Sequence, residues 1–363
     1  MISFKLTEEQ EMVRDAMREF AEQAITPIAR DCDEASSIPA DYIDTTWELG
    51  LVSAQIPEEF GGAGERSAIT TAIVLEELGA GDAALAIAAM APSAFVNAII
   101  DQGTDAQKAQ YLPAFCGDKF HTASLAAIEP HAMADPANPR AVAEEKEDRF
   151  VLSGRKSFVL FGDRASEFLV LARNGSEVDA FIVPRDAEGL TISEPELNMG
   201  MKGLTTNTLD LERVEVPAAN RLGGDQGCDV RRILDASRVA LAAIMTGMSR
   251  QVLEFCIPYA KERVAFDEPI SKKQSIAFRM SDMHIDTEGM RWLTWKAASQ
   301  VEQGLDATKA ASFARSYAAE KTMWIADNGV QILGGHGFIR EYPVEMWFRA
   351  ARTISVLEGT VSA

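Results

Sequence analysis

The chain has 363 residues, a formal net charge of −20 at pH 7 and 47% hydrophobic side chains. Its length points to two or three domains. The acidic balance argues against nucleic acid or an anionic membrane as a partner of the molecule as a whole. Without a window of eighteen apolar residues there is no expected membrane insertion, and residues 1–10 lack the basic and apolar regions of a signal peptide. Cys32, Cys116, Cys228 and Cys256 are far apart with no C-x-x-C pair, and the four histidines have no metal spacing. A cytoplasmic chain with reduced thiols and no metal is expected.

Within residues 7–29, Met12, Val13, Ala16, Met17, Phe20, Ala21, Ala24 and Ile25 recur near the helical period. Thr7 and Gln10 have the spacing of a capping box, and Pro27 is expected to end or kink the helix. A second helix is predicted over 41–49, then a glycine-rich loop over 57–64. Two long alanine-rich helices follow over 67–78 and 83–102, and another opens at Thr104 and ends near Pro113. Residues 1–118 therefore read as an N-terminal helical domain.

The pattern changes over 119–222 to short apolar or alternating runs broken by Gly, Pro and Asp, as at 149–152, 168–171, 180–183 and 208–211. This predicts a middle antiparallel β domain, a barrel or a sandwich. The charge run 144–148 is either a contact for a basic partner or, the preferred alternative, a solvated hairpin tip. Residues 223–363 return to helix, with long runs from 235 through 261, over 273–301 and over 308–333, and predict a C-terminal helical bundle. The pattern as a whole is that of a multi-domain α+β protein.

The stretch Gln331-Ile332-Leu333-Gly334-Gly335-His336-Gly337 reads as a helix end stopped by adjacent glycines. Pro343 then reads as a restart. Near the end, Glu358 follows Ile354, Val356 and Leu357 and precedes Gly359. A carboxylate on apolar surroundings has its pKa raised toward the range of a general base; a surface glutamate at a turn is the plainer alternative.

These motifs, with Glu341-Tyr342-Pro343 and Glu358-Gly359-Thr360, resemble the C-terminal signature of the acyl-CoA dehydrogenase family. The similarity extends to the loop at 57–62, the segment 103–113 and the helix–strand–helix order. It implies a flavoprotein in which Glu358 removes a proton beside a thioester and FAD accepts the hydride. The product is a 2-enoyl-CoA, and an electron-transfer flavoprotein-like acceptor reoxidises the flavin. By the same resemblance Arg263, Phe266, Gln274, Gln331 and Gly335 reach the FAD of a neighbouring subunit. Phe158, Leu160, Ile128 and Thr360 fall at positions that meet FAD, and Ala134, Asp235 and Arg238 at positions near the acyl-CoA. For Arg238, three residues after Asp235, a helix-opening ion pair is an equal alternative.

The sequence also departs from the family. Ile128-Glu129-Pro130-His131-Ala132-Met133-Ala134-Asp135 stands where the family has Thr-Glu-Pro-Gly-Ala-Gly-Ser-Asp. Phe158-Val159-Leu160-Phe161 stands where it has Trp-Ile-Thr-Asn, and Asp267 and Ser362 replace a glycine and a glutamine. Each lost hydrogen bond costs on the order of 1–3 kcal/mol. Three functions are therefore carried forward: a homo-oligomeric dehydrogenase; one subunit of a hetero-oligomer, such as a tetramer for bulky sterol side-chain acyl-CoA, with FAD bound across the interface; and a non-redox acyl-CoA binder on the same fold.

Overall fold

The computed structural model describes residues 5–363. In α1 (Glu8–Phe20) the capping box forms: Thr7 Oγ1 accepts from the Gln10 N–H, and the Gln10 side chain accepts from the Thr7 N–H. Pro27 does not end the helical path. A π-turn over Ala21–Ile25 re-phases the chain, so Pro27 falls at the start of α2 (Thr26–Ala35), where its missing N–H breaks no bond. Next come α3 (Ala40–Glu48) and α4 (Ala68–Gly81), the latter capped by Ser67. The single helix expected over 83–102 is two, α5 (Ala83–Ala89) and α6 (Ser93–Gln102), with Pro92 at the break. A second capping box, Thr104 with Gln107, opens α7 (Asp105–Tyr111).

Seven strands then form one sheet: β1 (Ser124–Ala126), β2 (Val142–Glu145), β3 (Arg149–Leu160), β4 (Glu167–Asn174), β5 (Glu177–Pro184), β6 (Leu190–Ile192) and β7 (Thr206–Pro217). Most pairings are antiparallel, but β1 and β2 both run parallel to β4, with Leu125 opposite Leu169 and Val142 opposite Arg173. The sheet is therefore mixed. The charge run 144–148 is the exposed tip of the β2–β3 hairpin. Alternation along the strands serves two cores. Phe168, Val170, Phe181 and Val183 close a core within the β domain, while Leu169, Leu171, Ala180 and Ile182 join the core of the helices.

The bundle consists of α8 (Val230–Glu262), α9 (Gln274–Glu302), α10 (Thr308–Leu333) and α11 (Val344–Ile354). A small hairpin, β8 (Val264–Ala265) with β9 (Glu268–Pro269), joins α8 to α9. Among the described residues only α8 is by itself long and apolar enough to cross a membrane, and it packs against α4, α9 and α10 as the central helix of the core. The N-terminal helices and the bundle share that core.

The α4–α8 crossing depends on two glycines. A Cβ at Gly247 would lie 1.8 Å from the Glu76 carbonyl oxygen, and one at Gly79 would lie 2.6 Å from that of Ile244. The helices meet backbone to backbone, and neither can add a methyl without moving apart. Gly247→Ala is expected to lower stability by about 3 kcal/mol, the upper range for overpacking, read as a lower denaturant midpoint. An unchanged midpoint would contradict the close crossing.

Candidate active site

The last turn of the chain lies where the bundle meets the sheet. As α11 ends, Arg315 of α10 donates through Nη2 to the carbonyl oxygens of Ile354 (3.1 Å), Ser355 (3.1 Å) and Leu357 (2.7 Å). These carbonyls lie at a helix C-terminus, where in-helix donors run out. Beyond Glu358, the Gly359 N–H donates to Ser237 Oγ of α8 at 2.9 Å. Gly359 has φ +75°, and a Cβ there would lie 2.9 Å from Leu125 Cδ2 of β1. Glu358 is thus fixed between two anchored segments.

Its carboxylate faces two guanidinium groups. Arg238 Nε lies 3.4 Å from Oε2 and Arg315 Nε lies 3.6 Å from Oε1. Neither contact is a hydrogen bond: Oε2 and Arg315 Nε are both buried without a partner. Burial raises the carboxyl above its ordinary range, and Arg315 and Arg238 offset part of that rise. The result is a largely buried carboxylate whose Oε2 accepts no hydrogen bond.

Glu358, Arg238 and Arg315 form one wall of a cavity of about 760 Å³. Opposite stand Ile128, Glu129, His131, Met133, Ala134 and Asp135, with Ser157, Phe158 and Glu196. Glu129 is already occupied. It accepts from Lys156 Nζ at 2.9 Å and from the Arg140 and Ala141 N–H groups at 2.8 Å, and its other contact is His131 Nε2 at 3.0 Å. Burial alone would raise its pKa, but Lys156 and the two N–H groups bring it down to about 2. This carboxylate holds the loop. Glu196 is likewise engaged, accepting from the Phe158 N–H and from the hydroxyls of Thr206 and Thr208.

The remaining sequence candidates fall in three places. Ile128, Phe158, Ala134 and Arg238 line the cavity. Asp235 stands behind it, buried, accepting from Thr308 at 2.9 Å and pairing with Arg238 at 3.5 Å. It therefore orients Arg238. Leu160 and Thr360 are each 2% exposed and lie outside the cavity lining, so neither presents its side chain to a ligand there. A break in the β3–β7 register between Lys156 and Val159, with φ +52° at Phe158, accompanies the inward placement of Leu160. Arg263, Phe266, Gln274, Gln331 and Gly335 are exposed and do not line the cavity. They lie at the end of α8, the hairpin tip, the start of α9 and the end of α10. The Tyr259 hydroxyl joins those helix ends through the Leu333 carbonyl and His336. Arg315 was not predicted. Its only sequence signal is an arginine among Ala311, Ala314 and Ala318, all buried on one helical face.

The domains fixed by this geometry have known counterparts. The acyl-CoA dehydrogenase N-terminal, middle and C-terminal domains match residues 7–119, 124–214 and 226–362. The chain is 33% identical to an acyl-CoA dehydrogenase of Bacillus subtilis over 98% of this chain and 95% of the other. It is also 33% identical to the rat mitochondrial short-chain specific acyl-CoA dehydrogenase, over 99% and 88% respectively. The structure of butyryl-CoA dehydrogenase from Megasphaera elsdenii superimposes with a TM-score of 0.88 at 30% identity, covering 99% of this chain and 96% of that one. The protein belongs to the acyl-CoA dehydrogenase family, flavin-dependent oxidoreductases that act on CH–CH bonds.

The residues present fit a flavin. The cavity has room for a tricyclic ring and is lined by an aromatic side chain, Phe158, and by Glu358. Leu160 and Phe161 place hydrocarbon in the core where the resemblance expects polar groups, and of the residues matched to the ring only Phe158 and Ile128 line the cavity.

The base expected at Glu358 must be ionised to act, and burial raises its pKa. The acid limb of kcat/KM is therefore expected above the ordinary glutamate value of about 4.3, activity falling as pH drops through it. An acid limb at or below that value would contradict the buried site.

Proposed function

We propose that the protein oxidises a short-chain acyl-CoA to the 2-enoyl-CoA, with Glu358 as the base. The observation that carries this is a largely buried carboxylate, paired with Arg238 and Arg315 and with one oxygen accepting no hydrogen bond, in the wall of a cavity lined also by Phe158. The thioester carbonyl acidifies the neighbouring C–H. Glu358 takes that proton, the electron pair forms the new double bond, and hydride leaves the β-carbon. FAD, when bound, supplies the hydride acceptor. Arg238 and Arg315 keep Glu358 ionised before the transfer, and the enclosing residues exclude water that would compete for the carboxylate. Short-chain specificity is supported by the relatives named short-chain specific and butyryl-CoA dehydrogenases. An electron-transferring flavoprotein is the proposed acceptor, and a reducing cytoplasm, consistent with four unpaired thiols, the proposed compartment.

We also propose an oligomer with FAD held between subunits. Phe278, Ile285 and Trp292 are exposed at two-turn intervals along α9, and Phe313 and Trp324 are exposed on α10. Such a stripe on a water-facing helix supports self-association. The exposed group around Arg263 supports contact with a flavin bound mainly to another chain. This arrangement also accommodates the hetero-oligomeric form.

Glu358→Gln is expected to lower kcat by at least about 10³-fold, within the range for loss of a catalytic acid or base, without changing the flavin-to-protein ratio. Turnover near wild type would remove Glu358 from the base role.

Among acyl-CoA substrates, kcat/KM is expected to be highest for a four-carbon chain and lower for sixteen carbons. A sterol side-chain substrate would reverse that order. Flavin near one per chain in the purified protein identifies the homo-oligomer, whereas flavin retained only with a second polypeptide identifies the hetero-oligomer.

A further inference from the structure

Arg315 has no role in the sequence-derived site, yet it makes more contacts to the catalytic turn than any residue predicted there. Its side chain is 7% exposed. One nitrogen, Nη2, holds the carbonyls of Ile354, Ser355 and Leu357. Nε is buried, unpartnered and 3.6 Å from Glu358 Oε1. A buried guanidinium remains charged, and leaving one of its donors unmade is costly. Ordinary structural service would satisfy that donor. Arg238, by comparison, is also held by Asp235 and Ser312.

We infer that Arg315 is the positioning residue for Glu358: it fixes the turn that carries the carboxylate, and its charge keeps that carboxylate ionised in a largely buried site. The inference rests on Glu358 being the base. The charged groups facing Glu358 are Arg315 from α10, Arg238 from α8 and, at longer range, Asp135 from the loop after β1. Only the two arginines favour the ionised form. Removing one should therefore raise the proton affinity of the base as well as loosen its turn.

The test uses the holoenzyme with Arg315→Gln and Arg315→Lys. Glutamine keeps donors for the carbonyls and removes the charge; lysine keeps both. Glu358 protonation is followed in the resting enzyme by the carboxylic-acid infrared band that Glu358→Gln abolishes. In Arg315→Gln the band midpoint is expected to rise by about one pH unit or more. Its kcat should fall about tenfold or more while KM stays within about threefold, because a displaced base slows the chemical step and leaves thioester binding intact. Arg315→Lys should restore the wild-type midpoint and most of kcat. A cooperatively melting Arg315→Gln protein with wild-type midpoint and kcat overturns the inference. Where the glutamine variant does not fold, the lysine variant decides: a wild-type midpoint supports the assignment, and a displaced midpoint with charge retained overturns it. The infrared titration needs no turnover. A wild type without dehydrogenase activity but with the same midpoint shift would defeat the functional proposal while leaving the Arg315–Glu358 coupling intact.

Discussion

Residues 355–359 are held from three sides: by the Arg315 guanidinium of α10, by Ser237 of α8, and by close packing of Gly359 against Leu125 of β1. The three contacts come from different parts of the chain. The turn therefore exists in this form only when bundle and sheet are already docked. Its position places Glu358 at the seam and opens the cavity beside it. The backbone crossing of α4 and α8 supports the same arrangement from below, since α8 carries Ser237, Asp235 and Arg238.

Other carboxylates in the fold show what makes Glu358 different. Glu77 receives paired donors from Arg18 and Arg250, tying α4 to α1 and α8. Glu129 receives Lys156 and two backbone N–H groups, fixing the loop opposite the bundle. Buried polar groups are normally satisfied in this way. Glu358 also lies near two cations, but its Oε2 accepts no hydrogen bond. Proximity without saturation is what the proposed base role asks of this carboxylate.

Much of the fold was legible because apolar spacing and capping residues act locally. Thr7 with Gln10 and Thr104 with Gln107 cap the expected helices, and the run over 308–333 is one helix. Other features depended on partners distant in sequence. The π-turn before Pro27, which carries the helical path past the proline, is not announced by a lone proline. The parallel pairing of β1 and β2 with β4 is invisible in alternation alone. Glu358, Arg238 and Phe158, each picked out by a motif, line one cavity. Leu160 and Thr360 were matched to a ligand by position in a motif; Leu160 is buried in the core and Thr360 is buried outside the cavity lining. Arg315 could not be ranked from sequence, because its importance lies in three carbonyls and a carboxylate some forty residues away.

Proton removal itself can be separated from hydride transfer. A 3-thia acyl-CoA has sulfur in place of the β-carbon and no β-hydride to lose, so only the α-proton can respond. Incubating it with the holoenzyme in D₂O and following the α-methylene by mass spectrometry tests the central claim that the C-terminal turn builds a base. Enzyme-dependent deuterium incorporation at the α-carbon is predicted. An enzyme that binds the thioester and oxidises ordinary acyl-CoA, yet exchanges no α-proton, would contradict it.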